Sequence, residues 1–122
     1  MTNKERAISF LRLASSGNVR EAYDQYVHPD FRHHNLYFPG DRAALLAGME
    51  ENAIKFPQKE FEAVRALEDG DLVAVHARVR LTPSSPWIAL IYIFRFQDNQ
   101  IIEEWEAGQE VPQDSPNEHS VF

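Results

Sequence analysis

The ten-residue run WIALIYIFRF, Trp87 to Phe96, restricts the architecture of this chain more than any other stretch. Aromatic and β-branched residues favour a strand. With ten residues and an internal arginine, the run is far shorter than the ~20 apolar residues of a membrane-spanning helix. Alternate side chains of a strand face opposite ways, which gives one face of Trp87, Ala89, Ile91, Ile93 and Arg95 and another of Ile88, Leu90, Tyr92, Phe94 and Phe96. Neither face is polar, so both must be covered.

The rest of the chain supplies one cover. Before Pro57 the apolar residues recur at helical spacing. Thr2 or Asn3 caps a helix whose stripe includes Ala7, Ile8, Leu11 and Ala14 and stops at Ser15-Ser16-Gly17-Asn18. Val19, Ala22, Tyr23, Tyr26 and Val27 form a second stripe, ended by His28-Pro29 because a residue before proline avoids helical backbone angles. The stretch HPDFRHHN, His28 to Asn35, then reads as the exit from this helix. Asp41 caps a third helix that Pro57 ends. After Pro57 come four strand-like segments, KEFEAVRAL, LVAVHARVRL, WIALIYIFRF and IIEEWEA, with the turn signals Asp69-Gly70 and Asp98-Asn99 between them. Helices followed by antiparallel strands predict a single α+β domain over residues 1–122, with the helices on one face of the sheet. The other face then meets a second copy of the chain, which predicts a homodimer packed sheet to sheet. The tail 111–122, rich in Pro, Gln, Asp, Ser and Asn, reads as loosely ordered unless Val121 and Phe122 dock.

A formal charge of −7 argues against nucleic acid and anionic membrane as partners, since binding them needs clustered Lys and Arg. Zero cysteines exclude disulfides, thiolate metal sites and a cysteine nucleophile. No basic segment followed by an apolar one opens the sequence, and the expected location is the cytoplasm.

The residues that could carry chemistry are few. His34 lies where the chain leaves the second helix, and an imidazole there can exchange a proton near neutral pH or fix the corner by a backbone hydrogen bond. In an extended segment His33 points the other way. Asn35 offers a donor and an acceptor to a substrate carbonyl or to its own loop. His76 shares a strand face with Arg78 and Arg80, a face that is either a polar pocket wall or a partly wet sheet surface. Glu106, beside Trp105, is a candidate general base, because a carboxylate in an aromatic pocket loses hydration and its pKa rises. A regular two-residue turn at Asp98-Asn99 pairs residue 97 with 100 and therefore Glu106 with Ile91; a bulge would shift this. Tyr37 and Tyr92 are candidates for an aromatic lining. No metal-binding spacing, phosphate loop or nucleophile elbow is present, which leaves cofactor-free chemistry or plain binding.

The run YVHPDFRHHN resembles the tyrosine-to-His-Asn motif of the SnoaL-like polyketide cyclase and aldol-condensation family. LVAVH, FRFQDNQIIEEWEAGQ and the final Val121-Phe122 resemble its later blocks in order. The chain reads His33-His34-Asn35-Leu36 where such relatives usually read Gln-His-Asn-Pro, and Trp105-Glu106 where many carry Trp-Asp, a carboxylate longer by one methylene. This family belongs to the nuclear-transport-factor-like superfamily. The resemblance implies a cone of curved antiparallel sheet wrapped by three helices around a blind pocket, dimerised through the sheet. It also implies a small hydrophobic or keto-containing ligand, no cofactor and no metal. His34, His76 and Glu106 then fall at catalytic positions, with Asn35, Tyr37, Arg78, Tyr92, Trp105 and Gln109 as substrate contacts. The expected activity is lyase- or isomerase-like acid/base chemistry on a keto substrate, with non-catalytic binding of a hydrophobic ligand as the alternative.

Overall fold

A computed structural model describes all residues, 1–122. Helix α1 spans Asn3–Ser15; Thr2 caps it by accepting from the Glu5 N–H, while the Glu5 side chain accepts from the Thr2 N–H. Helix α2 is Val19–Tyr26 and α3 is Arg42–Lys55, the latter capped by the Asp41 carboxylate accepting from the Ala44 N–H at 2.7 Å. Five strands complete the fold: β1 Val27–His33, β2 Glu60–Asp69, β3 Leu72–Arg80, β4 Ile88–Gln97 and β5 Gln100–Glu110. They form one curved, unclosed sheet in the order β1-β5-β4-β3-β2. The α+β cone expected from the sequence is the observed fold. None of its helices is long and apolar enough to cross a membrane.

The segment expected to be a mere helix exit is the exception, because Val27–His33 is a fifth strand, parallel to β5. Pro29 hides it from sequence reasoning. A proline cannot donate to a ladder, but an edge strand tolerates one, and the pairing is irregular across it, from Val27 opposite Ile101 to Arg32 opposite Glu103. Pairing ends at His33 opposite Glu104, so Trp105–Glu110 of β5 has a neighbour on one side only.

The helices cover the concave face of the sheet. Phe10 meets the rings of Tyr23 at 5.6 Å and Phe94 at 6.0 Å, edge to face, and Val73, Val75, Ala77 and Ile101 are buried beneath them. The opposite face carries Arg65, His76, Arg78 and Trp87. Here the last residue docks: Phe122 stacks on His76 with centroids 6.0 Å apart, and Arg65 donates to its carbonyl at 3.1 Å. Ile91 and Ile93, the residues that demanded a second cover, are 44% and 38% exposed on this face.

The β4–β5 turn is the two-residue hairpin the sequence predicts, with Asp98 and Asn99 at φ 53° and 64° and Gln97 opposite Gln100. The register then slips. Phe96 pairs with Ile101 but Arg95 with Glu103, so Ile102 is an extra residue in β5. Beyond this bulge Glu106 lies opposite Tyr92 and not Ile91, and Trp105 opposite Ile93. Tyr92 belongs to the concave face and Ile93 to the outer one, so a single extra residue turns Glu104 and Glu106 inward and Glu103 and Trp105 outward.

Candidate functional site

A cavity of about 220 Å³ opens between the helices and the concave face, with apolar walls that include Leu11, Leu45, Met49, Val79 and Leu90. Its polar residues are Ser15, Asn35, Asn52, Lys59, Tyr92, Glu104 and Glu106. A wider groove of about 630 Å³ runs along the unpaired edge of β5, lined by His34, Tyr37, Trp105 and Gln109 among others. Asn35, Leu90 and Glu106 line both spaces, so Glu106 stands where chamber and groove meet.

Alternation along β5 places the Glu104 and Glu106 carboxyls on one face, two residues apart. Glu104 is only 5% exposed, and no side chain donates to its carboxyl. Burial pushes its pKa well above the usual carboxylate range, and the negative charge of Glu106 adds to the shift. Desolvation also raises Glu106, opposed by a hydrogen bond from the Asn35 carboxamide. Two acids in one low-dielectric chamber do not both ionise readily, and Glu106, held by a donor, is the easier of the two to ionise. Tyr92, directly across the ladder from Glu106, is likewise driven to stay neutral by burial and by the two acids. Its hydroxyl remains free to donate into the chamber.

The loop after β1 sets Glu106. The Asn35 side chain donates to Glu106 Oε1, and its oxygen accepts from the Tyr37 N–H at 3.0 Å, so both ends of the carboxamide are committed. Beneath it, His33 Nδ1 accepts from the Asn35 N–H at 3.1 Å while Nε2 donates to the Pro39 carbonyl at 2.6 Å. These two partners select the neutral Nε2–H tautomer and make His33 an inward-facing brace for the loop.

His34 faces out. Its ring lies flat on Trp105 with centroids 5.0 Å apart, and Nε2 bonds Glu103 at 2.8 Å. Glu103 also accepts two bonds from Arg32, at 2.9 and 3.2 Å. The Arg32 bond chiefly, and His34 with it, hold its carboxyl below the usual range. This cluster pins the outer side of β5 to β1, and His34 meets the groove, not the chamber.

Of the residues singled out from sequence, the chamber brings together Glu106, Asn35 and Tyr92, and the groove gathers His34, Tyr37, Trp105 and Gln109. His76 and Arg78 join neither. His76 pairs with Ile91 on the outer face, where its Nδ1 meets Arg65, while Arg78 bonds Glu62 at 2.6 Å and stacks on Trp87. Sequence reasoning missed Glu104, Lys59 and the inward turn of His33. Glu104 had a signal, since any residue two before a proposed base on a strand shares its face. For Lys59 there was none.

A three-helix cone closed on one side by a curved antiparallel sheet, with ionisable residues projecting into a side chamber, defines the nuclear-transport-factor-like class of α+β protein. The chain belongs to the SnoaL-like domain family, whose family model matches residues 7–104. Among solved structures, IdmH of Streptomyces antibioticus, a candidate polyketide cyclase, superimposes with a TM-score of 0.74 at 19% identity over 88% of this chain and 92% of that one. AclR of Streptomyces galilaeus, a candidate hydroxylase, gives 0.75 at 18% over 88% of both chains. An NTF2-like protein of unknown function from Cytophaga hutchinsonii gives 0.71 at 13% over 89% and 91%. No curated protein matches the sequence. At these identities the likeness is one of fold, and a shared fold does not select a reaction.

Proposed function

We propose that the protein is a cofactor-independent enzyme acting on a small keto compound, with Glu106 as the base that removes a proton from the carbon alpha to the carbonyl. The observation that carries this reading is the unequal pair: Glu104 buried with no side-chain donor and Glu106 held by Asn35, both lining one apolar chamber, with burial raising both pKa values and that of Glu104 the further. In such a site the base needs a pKa lifted toward neutrality, and the developing enolate oxygen needs a neutral donor. The Tyr92 hydroxyl and the Glu104 carboxylic acid are the two such donors beside Glu106. The proton taken by Glu106 returns to carbon after rearrangement, or the enolate carbon attacks a second carbonyl of the same molecule, as in an aldol cyclisation, and the new alkoxide oxygen takes the proton back from Glu106. Family membership and the likeness to IdmH support a small molecule as substrate.

The test is exchange of alpha protons for deuterium in a panel of small β-keto esters and cyclic ketones, followed by NMR. Wild type should accelerate exchange and Glu106→Gln should lose about 10²-fold or more of that acceleration. Buffer rates with wild-type protein across the panel would count against the reading. The apolar walls favour a second reading, passive binding of a hydrophobic ligand. It predicts affinity that survives Glu106→Gln and Glu104→Gln with no exchange at all.

The same proposal includes a homodimer through the outer face, on the strength of exposed Ile91, Ile93 and Leu67 there. Light scattering at micromolar concentration should give twice the mass of one chain; a monomer would remove this part.

A further inference from the structure

The chamber is polar at two ends of opposite character. At the β5 end are the two acids. At the other, Lys59 opens the approach to β2, Ser15 ends α1 and Asn52 sits in the last turn of α3. These three offer an ammonium, a hydroxyl and an amide, and no carboxylate lines the cavity at their end. The sheet register separates the ends: Val75 lies across from Tyr92, and Arg80, at the far end of the same strand, lies across from Glu60, next to Lys59.

Lys59 stands apart from the other lysines. Lys4 and Lys55 are exposed, whereas Lys59 is half-buried and makes no ion pair or side-chain hydrogen bond. Burial lowers its pKa below the usual lysine value. A desolvated cation without a partner gains more from a counter-ion than one already paired or in water.

We propose that Lys59, with Ser15 and Asn52, binds the carboxylate of an oxo acid whose ketone reaches Glu106, several carbons away at the opposite end of the chamber. This rests on the keto-substrate reading above and sharpens it. One observation favours an ion-pair anchor over an amine nucleophile: the carboxyl groups able to move protons are at the other end. A substrate carboxylate also explains how an acidic protein accepts an acid: the anion meets the one unpaired cation of the chamber, while the carboxylate of Glu106 faces only the neutral ketone.

The experiment is calorimetric titration with 7-oxooctanoate and with its methyl ester, which share the ketone and chain but differ in charge. Wild type should bind the acid at least about tenfold more tightly than the ester. Lys59→Met should abolish the preference, Lys59→Arg should keep it, and Glu106→Gln should keep it too, since that substitution touches only the ketone end. Equal binding of acid and ester by wild type, a preference that survives in Lys59→Met, or no binding of either compound overturns the proposal. So does a borohydride-trapped adduct of the ketone on Lys59, which would mean an imine in place of an ion pair. Wild-type protein that prefers the acid but shows no alpha-proton exchange would instead remove the base role of Glu106 and leave the anchor standing.

Discussion

Replacing Glu104 by glutamine should stabilise the protein above neutral pH and leave it unchanged in acid. The folded-state pKa of Glu104 lies well above the unfolded value because burial and the Glu106 charge disfavour ionisation. Below the unfolded value both states hold the proton and nothing is lost. Between the unfolded and folded values the unfolded chain releases the proton and the folded one does not, so stability falls as pH rises, by about 1.4 kcal/mol per pH unit. Glutamine keeps the shape and cannot ionise. With an unfolding entropy of roughly 2.1 cal/mol/K per residue over 122 residues, each 1.4 kcal/mol corresponds to about 5 °C in Tm. Melting curves at pH 4 and pH 8 should therefore nearly coincide at the lower pH and separate by several degrees at the higher, with Glu104→Gln the more stable. Comparing the two proteins at each pH cancels Glu103, whose lowered pKa acts in the opposite sense, adding stability that is present above the unfolded value and lost in acid. Equal melting at pH 8, or a difference that does not change between the two pH values, would refute a buried proton on Glu104.

Asn35→Ala removes the donor that favours ionised Glu106, so the acidic limb of the exchange-rate profile should move to higher pH; an unmoved limb would show that Asn35 does not tune the base. At Gly48 an added Cβ would clash with three Phe38 ring atoms, so Gly48→Ala should displace that ring from the chamber wall and shift ligand affinity by more than it shifts Tm. Phe94→Ala empties a fully buried site between Phe10 and Tyr92 and should cost about 3–5 kcal/mol, measured by urea denaturation, a large share of the stability of a small domain.

The α+β order, the three helices and four of the five strands were legible because each is written in local periodicity and in turn chemistry at Asp98-Asn99. The fifth strand was not, because β1 is held by long-range pairing with β5 and carries Pro29, a local signal against a strand. The placement of the candidate residues was less legible. Glu106, Asn35 and Tyr92 line one chamber although a regular hairpin would have set Glu106 opposite Ile91, and which of His33 and His34 turns inward depends on where β1 sits in the sheet. His76 shows the converse: the alternation along β3 separated its face correctly from that of Val75, but only the packing of the helices on Val73, Val75 and Ala77 decides which face is the chamber.

The deciding feature is the bulge at Ile102, and its logic gives an asymmetric prediction. Deleting Ile102 leaves Phe96 opposite Ile101 and Arg95 opposite Glu103, because only the extra residue disappears, so Glu104 and Glu106 still face the chamber. Inserting one alanine between Glu103 and Glu104 shifts every later residue by one and turns both acids to the outer face, since the side-chain period of a strand is two. The deletion should thus keep the alpha-proton exchange and the pH-dependent gain of Glu104→Gln, while the insertion should lose both, with circular dichroism confirming that each variant folds. An insertion that keeps the exchange, or a folded deletion that loses it, would show that the inward acids do not depend on this register and that the chemistry assigned to the chamber lies elsewhere.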